Sequence, residues 1–135
     1  MSWVYQDKPF TNPEKYFGFV YIIINKLTNK KYIGKKQFTF KKVKSVKCKK
    51  VSYFVESDWK EYHGSSDKLH EDFINFGEEN FEKIILRLCK NKSECSYYEL
   101  KFQMEYDVLL KPDEYYNEWV SVKISRKNLG VDKHT

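Results

Sequence analysis

Short apolar stretches separated by polar connections run along the chain, and the first two predict a β-hairpin. They lie at about residues 17–25 and 31–34, and the connection between them is rich in Asn, Thr and Lys. The β-branched residues of the first stretch and the turn residues of the connection favour two antiparallel strands. Such a hairpin places Tyr21 and Tyr32, which are 11 residues apart, near one end of a small sheet. By this pattern alone both tyrosines are ordinary core residues, because tyrosine is common in strands.

A helix and a third strand are predicted in the middle of the chain. The helix has its N-cap at Ser65–Asp67 and ends at Gly77. Its predicted buried side consists of Leu69, Phe73, Ile74 and Phe76. The apolar run at 81–89 that follows is typical of a strand.

A second helix and a last strand complete the predicted order of elements. The helix runs from a cap at Ser93 to about Leu109, and the strand runs from Trp119 to Ile124. The whole order predicts an α+β fold, in which a small mixed sheet that begins with a β-hairpin is flanked by helices. Residues 1–135 are predicted to form one domain, with an extended lead-in at 1–16 and a terminal strand and basic tail at 118–135.

The segment at 37–55 supports two interpretations. Its apolar residues alternate weakly with lysines, and it contains neither Gly nor Pro. That pattern is typical of a second hairpin or of a pair of long strands. The same composition is also that of a mobile basic loop that orders on DNA.

Charge is distributed very unevenly along the chain. The net charge is +6, but the 41 residues from Lys15 to Val55 contain 12 lysines and no acidic residue. The remainder holds 13 basic and 19 acidic residues, a net charge of −6. A solvated surface is the ordinary role of lysines, but positive charge concentrated in this way favours a face that binds nucleic acid. The candidate DNA-binding residues are Lys41, Lys42, Lys44, Lys47, Lys49, Lys50, Lys60 and His63.

Several classes of protein are disfavoured by the sequence. The longest apolar run, Phe19 to Ile24, is too short for a membrane span, and the N-terminus lacks the pattern of a secretory signal. The three cysteines, Cys48, Cys89 and Cys95, are too irregularly spaced for a disulfide framework or a zinc site. We therefore expect a cytoplasmic protein that does not associate with membranes.

Taken in order, the motifs of the chain resemble those of the GIY-YIG endonucleases, and in particular the free-standing, Seg-like homing endonucleases of bacteriophages. The first two motifs correspond to Val20-Tyr21-Ile22 and Tyr32-Ile33-Gly34. The stretch from Trp59 to Leu69, which contains Gly64-Ser65-Ser66, and the later Tyr115-Tyr116-Asn117 follow in the family's order. The resemblance runs from about residue 17 to 127, and implies a GIY-YIG nuclease-like fold.

The resemblance also implies roles for individual residues. Tyr21 is expected to act as the general base toward a water, while Tyr32 orients that water or contacts phosphate. Glu99 is expected to bind Mg²⁺ or Mn²⁺, and Asn117 to fix the edge of the site by hydrogen bonding. Tyrosine, with its usual pKa near 10, is a poor base unless its surroundings favour the phenolate.

One element of the family pattern is missing. The family carries an arginine on the helix after its Y-I-G motif, whereas the two arginines of this chain, Arg87 and Arg126, lie elsewhere. Lys35 and Lys36, directly after Gly34, are the predicted replacements, and Lys60 is a third choice. Lysine supplies the positive charge as a point charge, without the bidentate geometry of arginine.

The function implied by the resemblance is Mg²⁺-dependent hydrolysis of phosphodiester bonds in double-stranded DNA, by a phage-encoded homing-type endonuclease in the cytoplasm of a bacterial host. Either a monomer or a homodimer is compatible with the sequence. The alternative is a non-catalytic module that binds DNA or RNA and retains only the nuclease scaffold. The missing arginine is the feature that favours this alternative.

Overall fold

The computed structural model describes residues 2–120, and every structural statement here concerns that part of the chain. The strands, in chain order, are β1 (Val4–Tyr5), β2 (Lys8–Pro9), β3 (Gly18–Asn25), β4 (Lys31–Gln37), β5 (Thr39–Val46), β6 (Lys49–Glu56) and β7 (Phe81–Cys89). The helices are α1 (Asp67–Phe76) and α2 (Lys92–Glu105), with short 3₁₀ turns at Glu78–Asn80 and Val108–Leu110. The predicted α+β class is confirmed.

Five of the strands form a mixed sheet in the order β2-β1-β7-β3-β4. The predicted hairpin is its β3–β4 pair, in which Tyr21 lies opposite Gly34 and Tyr32 lies opposite Ile23. Because side chains alternate between the faces of a strand, the two tyrosines share one face of the sheet. A buried cluster that includes Phe19, Tyr21 and Ile23 covers that face. A second cluster, which includes Val20 and Ile33, packs beneath α2 on the other face.

Part of the N-terminal segment, which was expected to be an extended lead-in at 1–16, forms two short strands of the sheet. Strand β1 pairs in parallel with β7 through Val4 and Ile84. Trp3 is 1% exposed, and its ring centroid lies 5.1 Å from that of Tyr21. Its indole Nε1 donates a hydrogen bond of 2.6 Å to the carbonyl of Trp59.

Of the two interpretations of the basic segment at 37–55, the structure shows the hairpin and not the mobile loop. Strands β5 and β6 pair antiparallel from Thr39–Glu56 to Val46–Lys49 and make a separate two-stranded sheet, here called the ribbon (residues 39–56). Its turn consists of Lys47 and Cys48, whose φ angles are 46° and 64°. Positive φ at both central residues is typical of a two-residue turn that matches the twist of a hairpin.

The predicted helices exist, but their details differ. Ser66 caps α1 by accepting a hydrogen bond from the backbone N–H of Leu69, as expected. Leu69 is buried, whereas Ile74 is 84% exposed and Phe76 is 38% exposed, so their predicted burial was wrong. The helix lies on the sheet with a narrower apolar stripe than the sequence pattern predicted.

Helix α2 is capped by Asn91, not by Ser93, because the Asn91 side chain accepts a hydrogen bond from the backbone N–H of Glu94. The helix ends at Glu105, and the turn around Asp107, whose φ is 52°, separates it from the 3₁₀ turn that was predicted as its last residues. The predicted last strand and basic tail lie mostly outside the described residues, and its first two residues, Trp119 and Val120, are not in a strand. The single-domain prediction stays a prediction.

Within residues 2–120, neither helix has the length and apolar character needed to span a membrane.

Lys83 is an unusual core residue, because it is only 2% exposed. Its Nζ donates a hydrogen bond of 3.1 Å to the carbonyl of Lys60 and lies 4.4 Å from the centre of the Trp3 ring. Burial lowers the pKa of Lys83 from 10.5 to about 8. The hydrogen bond of Lys83 thus connects β7 to the loop that follows the ribbon. Burial at this position destabilises the charged form of the lysine.

The depressed pKa of Lys83 predicts a pH-dependent stability. The unfolded chain holds this proton more tightly than the folded protein between pH 8 and 10, so folding becomes more favourable as the pH rises through that range. The effect is up to about 3 kcal/mol. We therefore measure the free energy of unfolding in urea for the wild type and for Lys83→Met. Between pH 7.5 and 9.5, the value for the wild type should increase relative to that for the variant. The control, Lys8→Met at an exposed lysine, should show no such change. Parallel pH profiles for wild type and Lys83→Met would contradict the assignment.

Candidate active site

A cavity of about 380 Å³ opens at the edge of the sheet, beside β4. It is lined by Tyr32, Lys35, Ser65, Ser66, Asp67, Glu99, Gln103, Tyr116, Glu118 and Trp119. Because β4 is the last strand of the sheet, groups from both of its faces reach this edge. Three predicted site residues meet here: Tyr32 from one face of β4, Lys35 from the other, and Glu99 from α2.

The two tyrosines are neighbours, but only Tyr32 lines the cavity. Their ring centroids are 6.2 Å apart, and Tyr21 is 1% exposed. The Tyr32 hydroxyl shares a hydrogen bond of 2.9 Å with Ser65 Oγ. Tyr32 therefore presents its phenol to the cavity, while Tyr21 lies behind it with its ring in the core.

Burial raises the pKa of both phenols. For Tyr21 the pKa is well above its usual value of 10, because burial and then the neighbouring Tyr62 and Tyr32 disfavour the phenolate. Burial also raises the pKa of Tyr32, against a smaller opposing effect of its hydrogen bond with Ser65. Both phenols of the protein alone are therefore protonated at neutral pH.

Gly34 is required by the approach of the Tyr21 phenol. A Cβ atom at Gly34 would lie 2.5 Å from the Tyr21 hydroxyl and 2.8 Å from its Cζ. Any larger residue would displace the phenol. The glycine of the Tyr32-Ile33-Gly34 motif is thus explained by packing on the adjacent strand.

Glu99 and Lys35 face each other across one side of the cavity. The Lys35 Nζ lies 3.9 Å from Glu99 Oε1 and donates a hydrogen bond of 2.9 Å to Ser96 Oγ. The Glu99 side chain is 13% exposed. Burial raises the pKa of Glu99, and the charge of Lys35 partly opposes that shift. The pair provides one carboxylate and one ammonium group at an accessible edge.

Lys36 points to the opposite face of β4 and has different partners. Its Nζ lies 2.6 Å from Asp58 Oδ1 and 4.1 Å from the centre of the Tyr62 ring. The ion pair lowers the pKa of Asp58. Lys36 is not among the residues that line the cavity, so the structure brings Lys35 alone of the two predicted lysines to Glu99.

Asn117 acts on the backbone of β4. Its Oδ1 accepts a hydrogen bond of 3.1 Å from the N–H of Ile33, and its Nδ2 donates one of 2.8 Å to the carbonyl of the same residue. It is 6% exposed. Asn117 therefore holds the strand that carries Tyr32 and Lys35, while its role in a reaction stays a prediction.

Two other candidates lie away from the cavity. His63 stacks on Phe73 at 4.5 Å, and its Nδ1 is 3.0 Å from the Glu61 carbonyl. His63 and Lys60 line a separate hollow of about 690 Å³. The six lysines of the ribbon are all exposed and are likewise not part of the cavity lining.

Sequence reasoning missed several residues that line the cavity. Gln103 lies four residues after Glu99 on α2, and that spacing on one helix face was the available signal. Asp67 and Glu118 add two carboxylates to the lining. Within residues 2–120, however, His, Cys, Asp and Glu side chains form no group of three or more that could together hold a metal ion.

Comparison with family models gives a match that covers most of the chain. The family model described as "Putative endonuclease segE, GIY-YIG domain" matches residues 3–120. No curated protein and no solved structure matches the chain. The match covers most of the sequence and includes both tyrosine motifs, Glu99 and Asn117, so this chain belongs to the GIY-YIG endonuclease family.

Proposed function

We propose that this protein is a metal-dependent endonuclease that hydrolyses phosphodiester bonds of double-stranded DNA at the edge of β4. The observation that carries the proposal is the convergence of Tyr32, Lys35 and Glu99 on one cavity. Membership of the endonuclease family supports DNA as the substrate. We further propose a phage-encoded, homing-type enzyme that acts in the bacterial cytoplasm.

Lys35 is the cation best placed to stabilise negative charge on the reacting phosphate. It lines the cavity, its side chain is 37% exposed, and Ser96 orients its Nζ. A preorganised positive group at the position where charge develops is worth a few kcal/mol in a transition state. Lys36 lies on the same face of β4 as Tyr32, where it contacts Asp58 and the Tyr62 ring and does not line the cavity.

Of the two tyrosines, Tyr32 supplies the phenol that orients the attacking water. Tyr32 reaches the cavity directly and is held by Ser65. Tyr21 packs against Tyr32 and stays the proposed general base of the pair. Because burial raises its pKa, Tyr21 takes the proton of the water only in a complex whose positive charge offsets that burial.

The cavity fits a divalent cation that is mostly hydrated. Glu99 offers a carboxylate whose burial raises its pKa, and a nearby cation relieves that unfavourable charge. Mg²⁺ is commonly held by one or two carboxylates together with waters and phosphate oxygens, which suits this single central carboxylate. When bound, Mg²⁺ or Mn²⁺ would supply Lewis-acid stabilisation of the leaving oxygen. Glu99 would hold it, and Lys35 would hold the phosphate.

The ribbon is the proposed DNA-binding element. Its lysines lie on both faces, since Lys41 pairs with Phe54 on one side and Lys42 pairs with Tyr53 on the other. Strands of eight residues extend about 26 Å, and the major groove of DNA admits a two-stranded ribbon of this kind. The turn at Lys47 places further positive charge at the tip.

For the proposed activity, the first prediction concerns Glu99. Glu99→Gln removes the charge that holds the cation, and should lower the rate of plasmid cleavage in Mg²⁺ by about 100-fold or more, since metal catalysis is worth several kcal/mol. The matched control is Glu105→Gln, an exposed carboxylate at the end of the same helix, which should cleave normally. Absence of cleavage by the wild type in any divalent metal would instead support the non-catalytic alternative.

The second prediction separates the two lysines. Lys35→Met should lower the single-turnover cleavage rate at saturating DNA by about 100-fold, because it removes the group placed beside the phosphate. Lys36→Met should lower it by less than about tenfold, since Lys36 does not line the cavity. The reverse order of effects would show that Lys36 replaces the family arginine.

The third prediction concerns the ribbon. Replacing Lys47, Lys49 and Lys50 with Gln removes up to three phosphate contacts, so the slope of log affinity against log salt should fall by up to about 2.7. The measurement is a salt titration of DNA binding by fluorescence anisotropy. The control carries Gln at three exposed lysines outside the ribbon, Lys8, Lys90 and Lys111. Equal slopes for wild type and ribbon variant would remove the ribbon from the DNA interface.

A further inference from the structure

The side-chain amide of Gln103 is buried, and only its nitrogen has a hydrogen-bond partner among the described residues. The residue is 5% exposed, and its Nε2 donates a hydrogen bond of 3.0 Å to the carbonyl of Ile33. Its Oε1 is shielded from solvent, and no donor among residues 2–120 reaches it. A buried amide oxygen without a partner is costly, so such an atom in a folded protein calls for an explanation.

The orientation of this amide is fixed by its surroundings. Exchanging the two ends would place Oε1 against the carbonyl oxygen of Ile33, and both atoms are acceptors only. That carbonyl already accepts a hydrogen bond of 2.8 Å from Asn117 Nδ2. The oxygen of Gln103 is therefore the end without a partner.

The position of Gln103 relates it to Glu99. The two residues are four apart on α2, hence one turn apart on the same face, and both line the cavity. Side chains with this spacing on a helix hold a single metal ion in other proteins. A carboxylate and an amide oxygen are both ligands of the type that hard divalent cations prefer.

We propose that Gln103 Oε1 is a second protein oxygen of the cation site, beside the carboxylate of Glu99. A bound cation gives the oxygen the partner that it lacks. The hydrogen bond to Ile33 meanwhile fixes the amide in the ligating orientation. The inference rests on the proposed metal-dependent function. It adds the neutral amide oxygen of Gln103 to the charged carboxylate of Glu99 as a ligand.

Mn²⁺ binding to the full protein tests the proposal without reference to cleavage. Free Mn²⁺ is followed by electron paramagnetic resonance during titration of wild type, Gln103→Met and Gln103→Glu. Both variants lose the hydrogen bond to Ile33, but only Gln103→Met loses the oxygen. We expect Gln103→Met to bind Mn²⁺ about tenfold or more weakly, and Gln103→Glu to bind at least as tightly as the wild type.

Two controls separate ligation from other effects. Glu118→Gln removes a charge from the cavity lining and measures the contribution of the electric field alone; its effect on Mn²⁺ affinity should be smaller than that of the neutral change Gln103→Met. Melting temperatures in EDTA show that each variant is folded.

Three results would overturn the proposal. Unchanged Mn²⁺ affinity of Gln103→Met would show that its oxygen is no ligand. Equal weakening in Gln103→Met and Gln103→Glu would show that Gln103 acts only through Ile33. In both cases the proposed function survives, provided that Glu99→Gln loses Mn²⁺. Failure of the wild type itself to bind Mn²⁺ would overturn the metal-dependent function together with this inference.

Discussion

The backbone N–H and C=O of Ile33 are the groups on which the geometry of the candidate site depends. An edge strand has backbone groups that point away from the sheet and need partners. In β4, the N–H and C=O of Ile33 are both bonded by the side chain of Asn117, and Gln103 adds a second donor to the carbonyl. The amide of an asparagine side chain has both a donor group and an acceptor group, as the backbone of a neighbouring strand does.

The side-chain amide of Asn117 extends a set of backbone hydrogen bonds between β4 and the segment 114–116. Two residues earlier, the N–H of Lys31 donates to the carbonyl of Glu114, and the N–H of Tyr116 donates to the carbonyl of Lys31. The Tyr116 hydroxyl in turn donates to Asp72 of α1 and accepts from Asn25 of β3. The segment around Tyr116 thus closes the edge of the sheet, while Tyr32 and Lys35 on either side of Ile33 stay directed at the cavity.

Strand β4 also connects the cavity to the ribbon. Phe38, directly after β4, is 1% exposed, and its carbonyl accepts a hydrogen bond of 2.8 Å from the N–H of Ser57. The Ser57 hydroxyl donates 2.6 Å to the carbonyl of Gln37, at the end of β4. The base of the ribbon is therefore anchored to the strand that carries Tyr32.

Local patterns in the sequence were sufficient for the hairpin of β3 and β4, the strand at 81–89 and the cap of α1, because each depends on neighbouring residues. Tyr21, Tyr32, Glu99 and Asn117 came from the order of family motifs. Their geometry depends on contacts between distant residues, and so it could not be predicted. The burial of Trp3 arises from packing against β3. Lys35 lines the cavity and Lys36 does not, because neighbouring side chains of a strand point to opposite faces of the sheet. The unpaired oxygen of Gln103 likewise emerges only when α2 is placed against β4.

The most direct test of this account is a crystal structure of the protein with Mn²⁺ and a DNA duplex that it cannot cleave. Anomalous scattering should locate Mn²⁺ in the cavity beside Glu99, and a backbone phosphate should lie within reach of Lys35 and Tyr32. The ribbon should lie against the duplex at the same time. Mn²⁺ or the phosphate at the separate hollow of His63 and Lys60, with the cavity beside β4 vacant, would contradict the central claim.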